Sequence, residues 1–423
     1  MLLLNASEAD FAPRLRGALQ RGSSDNAALS SDVAAILSAV RSEGDAALRR
    51  YTEQFDRHTP APLTPEQLKQ IAKGCAKPVR DALKAAAVRI KAFHKRQLPK
   101  GFSITDKTGT RSGQRWEALS AVGLYVPGGR AAYPSSVLMN ALPAKIAGVG
   151  RLVVTVPTPE GYLSPAVAAA LLLANVDEVY PVGGAQAVAA LAYGTESIKP
   201  VVKIVGPGNA YVAEAKRQVF GAVGIDSIAG PSEILVVSDG TVSPDWLAAD
   251  LLSQAEHDPA AQSILITPDA LHARAVIDAL KRQLLVLPTR DVALQSWLNH
   301  GLVVVVPSMD AVPALIETIA PEHLQLCGAA AETLFDAVRC TGSIFVGAYT
   351  PEAIGDYCGG PNHVLPTSGA ARYASGLSVL DFMRRTTFLQ CTEEGFKTLA
   401  PIAATLADAE GLPAHAASVR IRL

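Results

Sequence analysis

Apolar positions change their spacing twice along this chain. Over residues 26–55 and 65–93 they recur every three or four residues, with charge on the other faces, which predicts amphipathic helices. Residues 101–119 are polar and irregular and read best as a β-ribbon. From about Ala121 the pattern becomes one of short β-branched runs between Ala/Leu-rich segments. Residues 152–156 (LVVTV), 178–182 and 201–205 read as strands, and 164–174, 185–193 and 209–220 as helices. A second series begins at Glu233 (EILVVS). There, strands at 263–266, 302–306, 323–326 and 343–346 alternate with helices at 243–256, 268–285, 310–319 and 331–339. Residues 380–423 read as helix followed by extended chain.

Strands and helices alternating through short Gly/Pro connections predict parallel sheets covered on both faces. The fold class is therefore α/β, with two Rossmann-like doubly wound parallel-sheet domains, a helical N-terminal region and a small C-terminal appendage. The expected boundaries are 1–122 for a helical region completing the first α/β domain, 123–232 for the first Rossmann-like domain, 233–378 for the second and 379–423 for the appendage.

Composition narrows the class. Of 423 residues, 49% are hydrophobic and 18% charged, enough apolar material for large cores and too little charge for disorder. A formal net charge of −1 without basic or acidic blocks supplies no attraction to nucleic acid or an anionic membrane. The uncharged stretches at 161–176 and 179–195 contain Pro165 and Pro181 and fall short of the roughly 20 residues of a membrane helix. Five cysteines without CxxC spacing argue for reduced thiols rather than a disulfide framework. The N-terminal apolar run is too short for a signal peptide, so the expectation is a cytoplasmic enzyme with no membrane or nucleic-acid partner.

Several segments carry chemistry-bearing side chains. In 243–257 (SPDWLAADLLSQAEH), Ser243 suits an N-cap and Pro244 the first turn, and Gln254 and His257 share a face near the other end. A cation is favoured at that helix pole. Spacing alone favours a polar helix end with a surface histidine. In 320–326 (APEHLQL), Glu322 and His323 are suited to acid–base work or to a solvated turn. Residues 355–367 (GDYCGGPNHVLPT) read as a long polar loop, with Asp356 a candidate metal carboxylate and Cys358 a candidate nucleophile or an ordinary thiol. Glu410 and His415 lie in the tail. The turns VGGAQ (182–186), VGPGN (205–209) and GLYVPGG (123–129) could present backbone N–H groups to a phosphate, though none is GxGxxG.

Taken together, SQAEH (253–257), GPSE (230–233), APEHL (320–324), GDY and NHVLPT (355–357, 362–367), VGGAQA, GPGNAYV and the final EG…AH (410–415) resemble the histidinol dehydrogenase family, in order and over nearly the whole chain. The resemblance implies oxidation of L-histidinol to L-histidine through the aldehyde, by two hydride transfers to NAD, with one zinc per site. It makes Gln254, His257, Asp356 and His415 the zinc ligands, His323 the base and Glu322 the activator of water. It places Ser232 and Glu410 on the substrate, alongside His323 and the four metal ligands, and Tyr125, Gln186 and Asn209 on NAD. It also implies a homodimer whose C-terminal region reaches across to the active site. Against this stand a zinc dehydrogenase of another amino alcohol, a metal-dependent hydrolase that binds no NAD, and a two-lobed solute-binding protein, which the missing signal peptide disfavours.

Overall fold

The β-branched runs are buried on both faces, as strands inside a helix-covered parallel sheet must be. In the six residues 233–238, for example, every side chain is buried. The computed structural model describes residues 1–20, 27–128 and 132–423. Its strands are β1 (Leu2–Asn5), β2 (Phe102–Thr105), β3 (Arg111–Ala118), β4 (Ala121–Tyr125), β5 (Arg151–Thr155), β6 (Glu178–Tyr180), β7 (Lys203–Val205), β8 (Gly224–Ile225), β9 (Glu233–Ser238), β10 (Gln262–Thr267), β11 (Leu302–Val305), β12 (His323–Cys327), β13 (Ser343–Val346) and β14 (Met383–Gln390).

Two parallel sheets share one topology. The first runs β6-β5-β4-β7-β8 and the second β1-β11-β10-β9-β12-β13. In each, the chain steps outward over three strands and then returns to the far side of its starting strand. The crossover direction therefore reverses between β4 and β7, and again between β9 and β12. Ligands of doubly wound sheets sit at such switch points. Alternate residues feed separate cores: Ile234 and Val236 on one face of the second sheet, Leu235 and Val237 on the other.

The structure departs from the sequence reading in several places. Strand β1 adds to β11 at the edge of the second sheet, and Leu4 and Leu15 enter that core, so the first residues of the 1–122 region do not complete the first domain. Four residues were too few to show a period. The helix read over 26–55 is two, Ala27–Glu43 and Asp45–Asp56, parted at Gly44; that over 65–93 is Pro65–Ala72 and Lys77–Lys95. Helix Pro134–Ala147 was missed because it is buried nearly all round and shows no amphipathic stripe. The C-terminal order is the reverse of that expected. Strand β14 comes first, pairs antiparallel with β3 beside β2 and confirms the ribbon, and helices Glu393–Ala409 and Pro413–Arg420 follow. Asn26 and Gly129, each at the end of a predicted feature, lie outside the described residues. Among the described residues no helix is long and apolar enough to cross a membrane, and all five cysteines are free thiols.

Candidate active site

The amino edge of the second sheet collects most of the predicted site. Helix Pro244–Ala255 follows β9 and must run antiparallel to it, so its C-terminal end returns to the edge where β9 and β12 begin. Gln254 and His257 stand at that end; Glu233 opens β9, His323 opens β12 and Glu322 precedes it. Asp356 does not lie in an irregular loop as expected. It sits in the short helix Glu352–Tyr357, which packs tightly enough that the ring of Phe345 on β13 leaves no room for a side chain at Gly355.

His323 is the centre of this group. Its side chain is 4% exposed, and Nδ1 donates to the carbonyl of Glu233 at 3.1 Å. That bond leaves Nε2 as the lone-pair nitrogen, 3.7 Å from Asp356 Oδ1 and without a hydrogen-bond partner. Burial pushes the imidazole pKa down to about 4, so it is unprotonated at neutral pH. Carboxylates surround it: Glu352 Oε1 lies 3.5 Å and Glu322 Oε2 3.7 Å from Nδ1. Burial, with Asp356 and Glu322 nearby, raises Glu352 well above the usual carboxylate range. Asp250 is also raised by burial and is bonded by Gln325 at 2.6 Å.

Two electron-rich atoms facing each other at Nε2 and Oδ1 leave a gap suited to a cation or a proton donor. His323, Glu352 and Asp356 bring their ligand atoms within 4.8 Å of one another. The amide of Gln254 adds to this, since it is fully buried with neither Oε1 nor Nε2 hydrogen-bonded. Such orphaned polar groups cost free energy unless something occupies them. His257 Nδ1 donates to the Ser253 carbonyl at 2.8 Å, which directs Nε2 outward as a free ligand atom. Gln254, His257 and Asp356 offer nitrogen and oxygen donors without thiolate, a donor chemistry that suits a divalent ion such as zinc.

A loop ties this edge to the first domain. Ser368 N–H donates to Glu233 Oε1 at 2.6 Å and Gly230 N–H to Thr367 Oγ1 at 2.6 Å. Asn362 donates to the Met139 carbonyl at 2.6 Å on helix Pro134–Ala147 and accepts from Val364 N–H. His363 Nδ1 donates to the backbone carbonyl of Asp356 at 2.9 Å, holding that carboxylate's residue in place. Ser232 is half-buried immediately before β9, and its carbonyl accepts from Gln262. Cys358 caps the short helix Glu352–Tyr357, its N–H donating to the Ile354 carbonyl and its own carbonyl accepting from Arg89 Nε.

Tyr125, Gln186 and Asn209 lie elsewhere, at the carboxyl edge of the first sheet. Tyr125 ends β4, and its hydroxyl accepts from Gly184 N–H at 3.1 Å, with its pKa pushed up to about 12 by burial. Gln186 is buried in helix Gly184–Tyr193 with Oε1 unpartnered. Asn209 caps helix Ala210–Val219 through Val212 N–H. Tyr125 and Asn209 therefore flank the β4/β7 switch point. Glu410 and His415 are exposed on the C-terminal helices, and no hydrogen bond or ion pair among the described residues joins their side chains to the His323 group. Glu352 escaped the sequence reading, although it stands four residues before Asp356, a helical spacing that puts both on one face.

Fold and site define a two-domain α/β enzyme with a buried acid–base centre able to hold a metal. A family model described as histidinol dehydrogenase matches residues 19–423. A histidinol dehydrogenase of Rhodospirillum rubrum is 58% identical, covering 100% of this chain and 98% of that protein. "Histidinol dehydrogenase 1" of Nostoc sp. is 55% identical, with 100% and 99% covered. The crystal structure of histidinol dehydrogenase from Elizabethkingia anophelis superposes with a TM-score of 0.94 at 33% identity, covering 100% of this chain and 98% of that one. The chain belongs to the histidinol dehydrogenase family and is an oxidoreductase of histidine biosynthesis.

Asn362 is the buried polar tie between the site loop and the first domain. Asn362→Ala should lower the free energy of unfolding by about 1–3 kcal/mol in urea titration, because the Met139 carbonyl and Val364 N–H are left unpaired. An unchanged midpoint would show that the loop is held by other contacts.

Proposed function

We propose that this protein oxidises L-histidinol to L-histidine in two successive hydride transfers to NAD, through the aldehyde, at a site that holds one zinc ion. The observation that carries the reading is His323: a buried, neutral imidazole whose unpartnered Nε2 faces Asp356 at 3.7 Å.

His323 Nε2 takes the alcohol proton as the first hydride leaves the substrate carbon, and Glu233 fixes the required tautomer by accepting from Nδ1. Glu322, held by Glu233 N–H at 3.0 Å, draws a proton from the water that adds to the aldehyde, forming the hydrate that loses the second hydride. Gln254, His257, Asp356 and His415 are the zinc ligands in this reading, and zinc supplies a fixed grip on the substrate imidazole and amine. Ser232 and Glu410 contact the substrate. NAD, the hydride acceptor, lies against Tyr125, Gln186 and Asn209, at the kind of switch point where dinucleotides bind. The exposed positions of Glu410 and His415 are compatible with a homodimer in which each C-terminal arm completes the other copy's site. In keeping with this, the arm leaves Ile402, Leu406 and Leu412 exposed.

Absorbance of NADH tests the reading. Two NADH per L-histidinol, lost on chelation and restored by zinc, are expected. NADH only with another amino alcohol supports a different substrate, and none with any alcohol supports a hydrolase. Glu322→Gln should slow aldehyde oxidation roughly 10²- to 10⁴-fold, while oxidation of the alcohol falls much less; equal losses would remove Glu322 from the water-activating role.

The close grouping of His323, Glu352 and Asp356 offers a second seat for the ion. Metal analysis separates the two. His415→Ala should lose zinc and Glu352→Gln should keep it; the opposite pattern would move the ion to the second seat.

A further inference from the structure

One buried ion pair has no part in the chemistry above. Lys216 lies on helix Ala210–Val219 and Asp226 just beyond β8, with side chains only 2% and 6% exposed, and the two form an ion pair. Both also reach the same peptide unit neighbourhood. Lys216 Nζ donates to the Gly206 carbonyl at 2.9 Å, and Asp226 Oδ2 accepts from Gly206 N–H at 2.8 Å.

Gly206 is where β7 stops pairing with β4, whose last register is Leu124 with Val205. Its N–H and C=O leave the ladder and need other partners. Its φ of +113° suits glycine alone, and a side chain there would strike the Tyr125 carbonyl. The turn from Gly206 to Asn209 is thus pressed against the end of β4, in a conformation that the local chain would not keep unaided. A buried ion pair is a weak source of stability, since apolar residues of similar volume often do as well. What this pair supplies, and an apolar pair would not, is a tether on each polar group of one residue.

We infer that Lys216 and Asp226 are positioning residues for dinucleotide binding, holding the Gly206–Asn209 turn against Tyr125 at the β4/β7 switch point. The inference rests on the reading of that turn as the NAD site.

Calorimetric titration of the purified protein with NAD comes first. Absence of binding to the unaltered protein would overturn the site reading itself. If NAD binds, the charge-balanced double variant Lys216→Met/Asp226→Leu is compared with it. The expected result is a normal melting temperature and zinc content, with NAD dissociation constant and KM for NAD raised roughly 10- to 100-fold, as small misplacements of a binding group produce. KM for histidinol should stay unchanged, a split that general loosening of the fold would not give. A folded double variant with unaltered NAD affinity overturns the inference. Should the double variant fail to fold, Lys216→Met, which keeps much of the volume but removes the donor to the Gly206 carbonyl, decides. Weakened NAD binding with unchanged KM for histidinol supports the inference, and unaltered NAD binding overturns it.

Discussion

The candidate site depends on burying carboxyl groups around a neutral imidazole. Glu233, Glu322 and Glu352 are each at most 5% exposed and Asp356 is largely covered, all about His323. Taking charge out of water is costly, and like charges at close range add to that cost. The protein meets it in three ways. Glu352 is driven towards its neutral form. Glu233 and Glu322 accept backbone N–H groups from Ser368 and Glu233. The remaining imbalance, at Asp356, His323 Nε2 and Gln254, is the kind that a bound cation relieves. In the proposed function, catalytic competence and cation affinity have one origin, because the burial that keeps His323 unprotonated also makes the gap beside Asp356 attractive to a positive ion.

The fold divides these tasks between opposite edges of two similar sheets. Acid–base and metal-competent residues gather at the amino edge of the second sheet, where returning helices bring their C-terminal ends. The glycine turns sit at the carboxyl edge of the first sheet, at its switch point. Loop residues Asn362, His363, Thr367 and Ser368 bond to elements of both sheets, so this loop joins the two by hydrogen bonds as well as by chain connectivity.

Much of this was legible in the chain. EILVVS, LVVTV and the Ala/Leu helices showed the doubly wound pattern because strands buried on both faces and helices have different periods. Gln254 and His257 were legible as a shared helix face, and Glu322–His323 as a pair before a strand. What local pattern could not show was pairing at long range. Strand β1 joins a partner 300 residues away, and Lys216 reads as a surface residue until Asp226 and Gly206 are folded around it. Asp356 looked like loop because its helix is only six residues long, and Glu352 was hidden with it. Spacing put Gln254 on a helix face with His257 but did not make an amide a ligand, and His415, an exposed tail histidine, carries no spacing signal, so both roles rested on family resemblance.

X-ray absorption at the zinc edge, on the protein as purified, addresses the central claim directly, that the buried centre holds a metal through nitrogen and oxygen alone. The account predicts one zinc per chain with a single shell at about 2.0–2.2 Å and outer scattering from imidazole rings. With five free thiols in the chain, a shell at about 2.3 Å from sulfur, or a chain that binds no metal, would contradict it.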